Sequence, residues 1–192
     1  DALKLISRSP MRLLACLFAL VATFATAADL TLTAIDGTPQ TLPASADGKP
    51  TLLFFVSPFC STTKSFAKEI QQITVDHAAK VRVLIIECDP EVTRDIAIEH
   101  ATVSEFTAPV LVDAGQALTK LVKATITPEA VLLDAKGAVY YQGRINDLYL
   151  GPTKRQRAAT TRDLRDAIEA ILASKPAPQP QAPAQGCKIS VK

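Results

Sequence analysis

Cys60, Cys88 and Cys187 are the residues of this chain whose type and setting could do chemistry, since a thiolate is a nucleophile, a metal ligand and half of a disulfide. Cys60 follows the apolar run TLLFFV (51–56) and the breaker Ser57-Pro58-Phe59, and it precedes a segment of helical periodicity. A cysteine between a buried strand and the first turn of a helix meets unpaired backbone N–H groups and the positive end of the helix dipole, both of which stabilise a thiolate. Lys64, one turn further on, adds a cation. The competing reading is a small buried apolar residue. The strand-end position after a proline favours reactivity.

A single thiol at Cys60 can attack a disulfide, but releasing the mixed disulfide that results takes a second thiol. Two are available. Cys88 ends the predicted strand VRVLIIE (81–87), and Cys187 lies in the tail PAPQPQAPAQGCKISVK (176–192). A cysteine at a strand end can also be a buried spectator. A cysteine on a Pro-rich tether can be a structural staple, or it can fold back at millimolar-scale effective concentration. Both stay open as partners of Cys60. His77 and His100 fall near the ends of predicted helices and are expected to be surface or helix-terminal residues. No metal site and no cofactor are expected. A Cu(I) site built from Cys60 with Cys88 or Cys187 is the alternative, but it would lack a C-x-x-x-C pair and any methionine after Met11.

The elements that would position these residues can be read in order. Leu30, Leu32 and Ala34 alternate with polar residues before the Asp36-Gly37 turn, a short strand and hairpin. TLLFFV is apolar throughout, as a strand buried on both faces would be. Phe66, Ile70 and Ile73 predict a helix from Ser61 to about Lys80, and VRVLIIE a second buried strand. Asp89-Pro90 reads as an N-cap and first helical residue, with the helix running to about His100. VLVD (110–113) is a strand, Gln116 to Ala124 a short helix, and AVLLD (130–134) and AVYYQG (138–143) are antiparallel partners about Asp134–Gly137. Leu164, Ile168, Ile171 and Leu172 line one side of a helix from Thr161 to Ser174. The tail, with four prolines between 176 and 183, is expected to be extended, polyproline-like or mobile. The order β–β–α–β–α–β–α–β–β–α argues for a three-layer α/β/α sandwich with a mixed central sheet.

Composition excludes several classes. At 192 residues, 48% hydrophobic and with four cysteines, the chain is neither disordered nor a disulfide-framework miniprotein. The net charge of +2 is carried entirely by residues 1–27, and the neutral remainder lacks the basic surplus that nucleic acid demands. From Met11 the chain reads MRLLACLFALVATFATAAD: a basic start, an apolar stretch, and Ala25-Thr26-Ala27 as a small-x-small cleavage signal. Residues 1–27 are therefore expected to be a leader containing a secretory signal peptide, whose apolar run of about 15 residues is short of the roughly 20 that span a membrane. Leu13-Leu14-Ala15-Cys16 is not a lipobox, because its apolar region follows the cysteine. The expected address is the periplasm, with no membrane attachment after cleavage. Export leaves three cysteines, an odd number in a compartment that allows disulfides. The domain is expected over 28–175 and the tail over 176–192.

FFVSPFCSTTKSFAKEI, a βα unit after it, and then ITPEAVLLDAKGAVYYQGRIND resemble the thioredoxin superfamily, in its redoxin branch of alkyl hydroperoxide reductase/thiol-specific antioxidant-like proteins. The closing Gly186-Cys187-Lys188-Ile189 resembles an exported subgroup. The resemblance implies a thioredoxin-like fold and a thiol–disulfide oxidoreductase. Its substrates would be protein or small-molecule disulfides, and an unidentified reductant would serve it. Thr127-Pro128 would be the cis-proline pair that orients substrate beside Cys60, with Phe59 and Ser57 lining the same place. In that arrangement the strand before Cys88 lies beside TLLFFV, which brings Cys88 to the same sheet end as Cys60. The subgroup resemblance favours Cys187 as the partner.

Departures from the family pattern matter. The dithiol C-x-x-C is here Cys60-Ser61-Thr62-Thr63, and Phe59 stands where a Trp is usual. Of the peroxiredoxin pattern P-x-x-x-T/S-x-x-C only Ser57 remains, since Leu53 takes the proline position and Arg144 is the sole arginine considered for peroxide. A thiol peroxidase is thus the alternative, and a non-catalytic binding protein of thioredoxin fold, Cu(I) included, a further one.

Overall fold

A strand apolar on both faces is satisfied at the centre of a sheet, and TLLFFV, apolar after Thr51, takes that place. The computed structural model describes residues 29–43 and 45–190, so the leader expected over 1–27 lies outside the described residues. The chain forms β1 (Leu30–Thr33), β2 (Pro39–Leu42), β3 (Thr51–Val56), α1 (Ser61–His77), β4 (Arg82–Glu87), α2 (Arg94–Val103), β5 (Val110–Val112), α3 (Ala117–Val122), β6 (Ile126–Thr127), β7 (Glu129–Leu133), β8 (Val139–Gly143), α4 (Asp163–Leu172) and β9 (Cys187–Lys188). Five strands make the central sheet in the order β5-β4-β3-β7-β8. β3 runs parallel to β4 and antiparallel to β7, so the sheet is mixed.

Alternation along β3 and β4 sends successive side chains to opposite faces. Phe54 and Ile85 join Phe66, Ile70, Ala97 and Ile168 in a core under α1, α2 and α4. Phe55 and Ile86 join Leu111, Leu118 and Val131 in a second core under α3 and the β1–β2 hairpin. The result is the expected layered α/β architecture, with helices on both faces of a mixed sheet.

The start of α2 differs from the expectation. Asp89 and Pro90 form a turn, in which the Asp89 carboxylate accepts from the Glu91 N–H at 3.0 Å. The cap is Thr93, whose hydroxyl accepts from the Ile96 N–H at 3.3 Å. An aspartate that accepts an N–H two residues on makes a turn by the same chemistry that would cap a helix, so the sequence signal serves both.

The tail is a docked strap. The Arg144 N–H donates to the Ala182 carbonyl at 3.1 Å. The Gln181 side chain accepts from the Gln142 N–H and donates to the Tyr140 carbonyl, both at 3.0 Å. Glycine makes the crossing possible, since a Cβ at Gly143 would lie 2.3 Å from the Ala182 carbonyl oxygen. The strap ends as β9, antiparallel to β6 with Thr127 opposite Cys187. Backbone groups and glutamine amides hold a segment that buries little apolar surface, which is why its composition reads as free.

Candidate functional site

Cys60 is the N-cap residue of α1. The turn before it is set by Ser57, whose carbonyl accepts from the Cys60 N–H at 3.1 Å and whose hydroxyl accepts from the Phe59 N–H at 3.2 Å. Phe59 is left 61% exposed at the rim while Cys60 is only 2% exposed. The cover over Cys60 comes from β6 and β9. Its sulfur lies 3.1 Å from the Thr127 carbonyl oxygen, and the Thr127–Pro128 peptide bond is cis. Cys187 is joined to Cys60 by a disulfide with 5.9 Å between Cα atoms, inside the range that such bonds span.

Several contacts seat the end of the tail. The Ile189 N–H donates to the Thr125 carbonyl at 2.9 Å, and Ile189 packs against the second core. The Gln116 amide donates both to the Cys88 carbonyl at 3.1 Å and to the Ser190 carbonyl at 2.5 Å, tying the tail to the end of β4. Gly186 approaches so closely that a Cβ there would lie 2.0 Å from the Thr127 carbonyl oxygen. A cleft of about 70 Å³ remains, lined by Ser57, Phe59, Cys60, Cys88, Thr127 and Cys187 among others.

The site therefore brings the three cysteines to one sheet end, but in different states. Cys88 is fully buried and free, and its thiol donates to the Val56 carbonyl at 3.4 Å. Burial first, and then the Glu87 carboxylate beside it, push the Cys88 thiol well above the usual thiol range. Such a group stays protonated and is a poor nucleophile. Arg144 does not line the cleft; its guanidinium is paired with Asp163 at 3.1 Å. Among the described residues no group of three or more His, Cys, Asp or Glu is placed to hold a metal ion.

Three polar groups near this end carry little sequence signal. Gln116 is buried and in the left-handed backbone region, which nothing in its type announces. Glu129, one residue after Pro128, accepts from the Thr125 N–H at 2.8 Å, and burial raises its carboxyl above the ordinary carboxylate range. Glu87 is fully buried against His100 at 2.5 Å, with its other oxygen unpartnered. His100 is in the last turn of α2, as expected, but its ring turns inward rather than to the surface.

A strand-to-helix cysteine facing a cis Thr-Pro on a mixed five-stranded sheet defines a thioredoxin-like redoxin. The chain belongs to the AhpC/TSA family, whose profile matches residues 25–142, more than half of its length. A search of the curated proteins finds no match. Among solved structures, a hypothetical protein from Sinorhizobium meliloti is 27% identical, with a TM-score of 0.75 over 87% of this chain and 93% of that one. An uncharacterized conserved protein from Geobacillus kaustophilus is 25% identical, with a TM-score of 0.75 over 87% and 90%. A secreted Mycobacterium tuberculosis disulfide oxidoreductase homologous to E. coli DsbE is 18% identical, with a TM-score of 0.53 over 76% and 95%, a likeness of fold. No helix among the described residues is long and apolar enough to cross a membrane.

Proposed function

We propose that this protein is an exported thiol–disulfide oxidoreductase that works through Cys60 as nucleophile and Cys187 as resolving thiol. The observation that carries the reading is the Cys60–Cys187 bond lying across the Thr127–Pro128 edge. In the reduced protein the Cys60 thiolate, at the N-terminus of α1, attacks one sulfur of a substrate disulfide. The substrate S–S bond breaks, and its leaving sulfur departs as a thiolate that takes up a proton. Cys187 then attacks the Cys60 sulfur of the mixed disulfide, and the second substrate thiol leaves. Two electrons have passed from the Cys60–Cys187 dithiol to the substrate, and an external dithiol reductant restores the pair. Thr127 and Pro128 orient the substrate chain, with Phe59 as an apolar rim and Ser57 holding the turn. Cys88 is a structural thiol in this scheme. The leader over residues 1–27 supports export to the periplasm, where substrates would be protein or small-molecule disulfides.

The test is reduction of a model protein disulfide by the parent chain and by Cys60→Ser. The expected result is loss of catalysed reduction in the variant, and retention of full activity would sink the reading.

A further inference from the structure

We infer that the tail segment Gly186–Ile189 sits where an extended peptide substrate sits, and that the groove accepts a cysteine only when glycine immediately precedes it. The inference rests on the thiol–disulfide reading of Cys60. β6 is an edge of two residues whose sole strand partner among the described residues is β9. Without β9 its backbone groups would face solvent, and an unpaired edge beside a nucleophile receives an extended chain by main-chain hydrogen bonds. The tail supplies that chain and presents its own cysteine to Cys60. Its contacts are thus a record of what the edge admits at each position.

Position by position the record is selective. Lys188, after the cysteine, pairs with Ile126 and turns an exposed side chain to solvent. Ile189, the next, packs against the core shared by α3 and the hairpin, so an aliphatic residue suits it. Gly186, before the cysteine, meets backbone. A Cβ there would lie 2.0 Å from the Thr127 carbonyl oxygen and 2.9 Å from its carbon. Gly186 is not in the left-handed region, so the demand is for space and not for an unusual φ. The carbonyl cannot readily swing away, because Thr127 is held in the β6–β9 pair and precedes the Pro128 ring. A peptide in the same register meets the same carbonyl. The substrate class is therefore a protein or peptide disulfide whose reacting cysteine follows glycine, with an aliphatic residue two positions after it.

The experiment uses the full chain carrying Cys187→Ser, which leaves Cys60 without its internal partner. Two peptides are compared, Gln-Gly-Cys-Lys-Ile-Ser and its counterpart with alanine in place of glycine, each carrying thionitrobenzoate in disulfide linkage to its cysteine. Attack of the Cys60 thiolate on the peptide sulfur releases thionitrobenzoate, which is followed by absorbance, and each rate is divided by the rate with free cysteine. The glycine peptide is expected to react faster by at least about tenfold, the factor set by an overpacked contact that must be relieved. Equal normalised rates, both above that of free cysteine, overturn the glycine requirement while leaving Cys60 as the nucleophile. Rates no faster than free cysteine for both peptides overturn the Cys60 reading and this inference with it. A second measurement places the same contact within the chain: Gly186→Ala should lower the equilibrium constant of the Cys60–Cys187 bond against glutathione by at least about tenfold. An unchanged constant overturns the inference.

Discussion

The two thiols nearest Cys60 are held by opposite kinds of structure. Cys88 closes a six-residue strand paired on both sides within the central sheet, and its sulfur is sealed among apolar side chains. Cys187 is 127 residues from Cys60 in sequence and sits on a strand of two residues at the end of a strap. The cysteine nearer along the chain is free, and the one farther along it is bonded. The difference teaches that the bonded partner is the cysteine the fold carries across Cys60, and not the one closer along the chain. Burial and the Glu87 carboxylate both keep the Cys88 proton in place.

The comparison can be broken most directly at Cys187. Cys187→Ser should lower turnover of a protein disulfide by at least about a hundredfold, because an intramolecular thiol is replaced by one from solution. Intact mass should show the variant held as a mixed disulfide at Cys60. Loss of turnover in Cys88→Ser with retention in Cys187→Ser would reverse the roles assigned here. Next in size is the effect of reduction: opening Cys60–Cys187, which closes a long loop, should cost about 2–4 kcal/mol in urea unfolding. Cys88→Ala should cost about 1 kcal/mol by leaving a small cavity, with turnover unchanged, and a larger loss of turnover than of stability would restore Cys88 as a redox partner. The smallest effect belongs to Glu129. Its carboxyl is raised by burial above the ordinary value of 4.5, so the folded state keeps a proton that the unfolded chain releases first. Stability should therefore fall as pH rises from that value through the folded one, and Glu129→Gln should flatten this part of the pH profile.

What was legible in the sequence was local. The strand, breaker and helix around Cys60 are adjacent in the chain, so punctuation alone places that thiol at a helix start. The runs 51–56 and 81–87 announce buried strands, and only the resemblance set them side by side. The expectation failed where one local pattern serves two structures, as at Asp89-Pro90, or where the answer lies in contacts across the chain. His100 looks like a surface residue until Glu87 is placed under it. The tail looks free because its docking uses Gln181, Gly143 and Gly186 instead of apolar side chains. The pairing of Cys60 with Cys187 over Cys88 could not be derived from spacing, and only the resemblance of the closing Gly-Cys-x-Ile leaned toward it.

The strap also bears on how copies of this protein behave toward one another. β8 is an outer strand of the five-stranded sheet, and a bare outer strand is a template for pairing with another molecule. Here its backbone is occupied by Gln181 and Ala182, in a stretch whose prolines lack the N–H needed to extend a ladder. The opposite outer strand, β5, is met by the hairpin, with Ala34 bridged to Leu111. Because the strap's contacts with β8 do not involve the disulfide, this protection against sheet-to-sheet aggregation should persist when the Cys60–Cys187 bond is reduced.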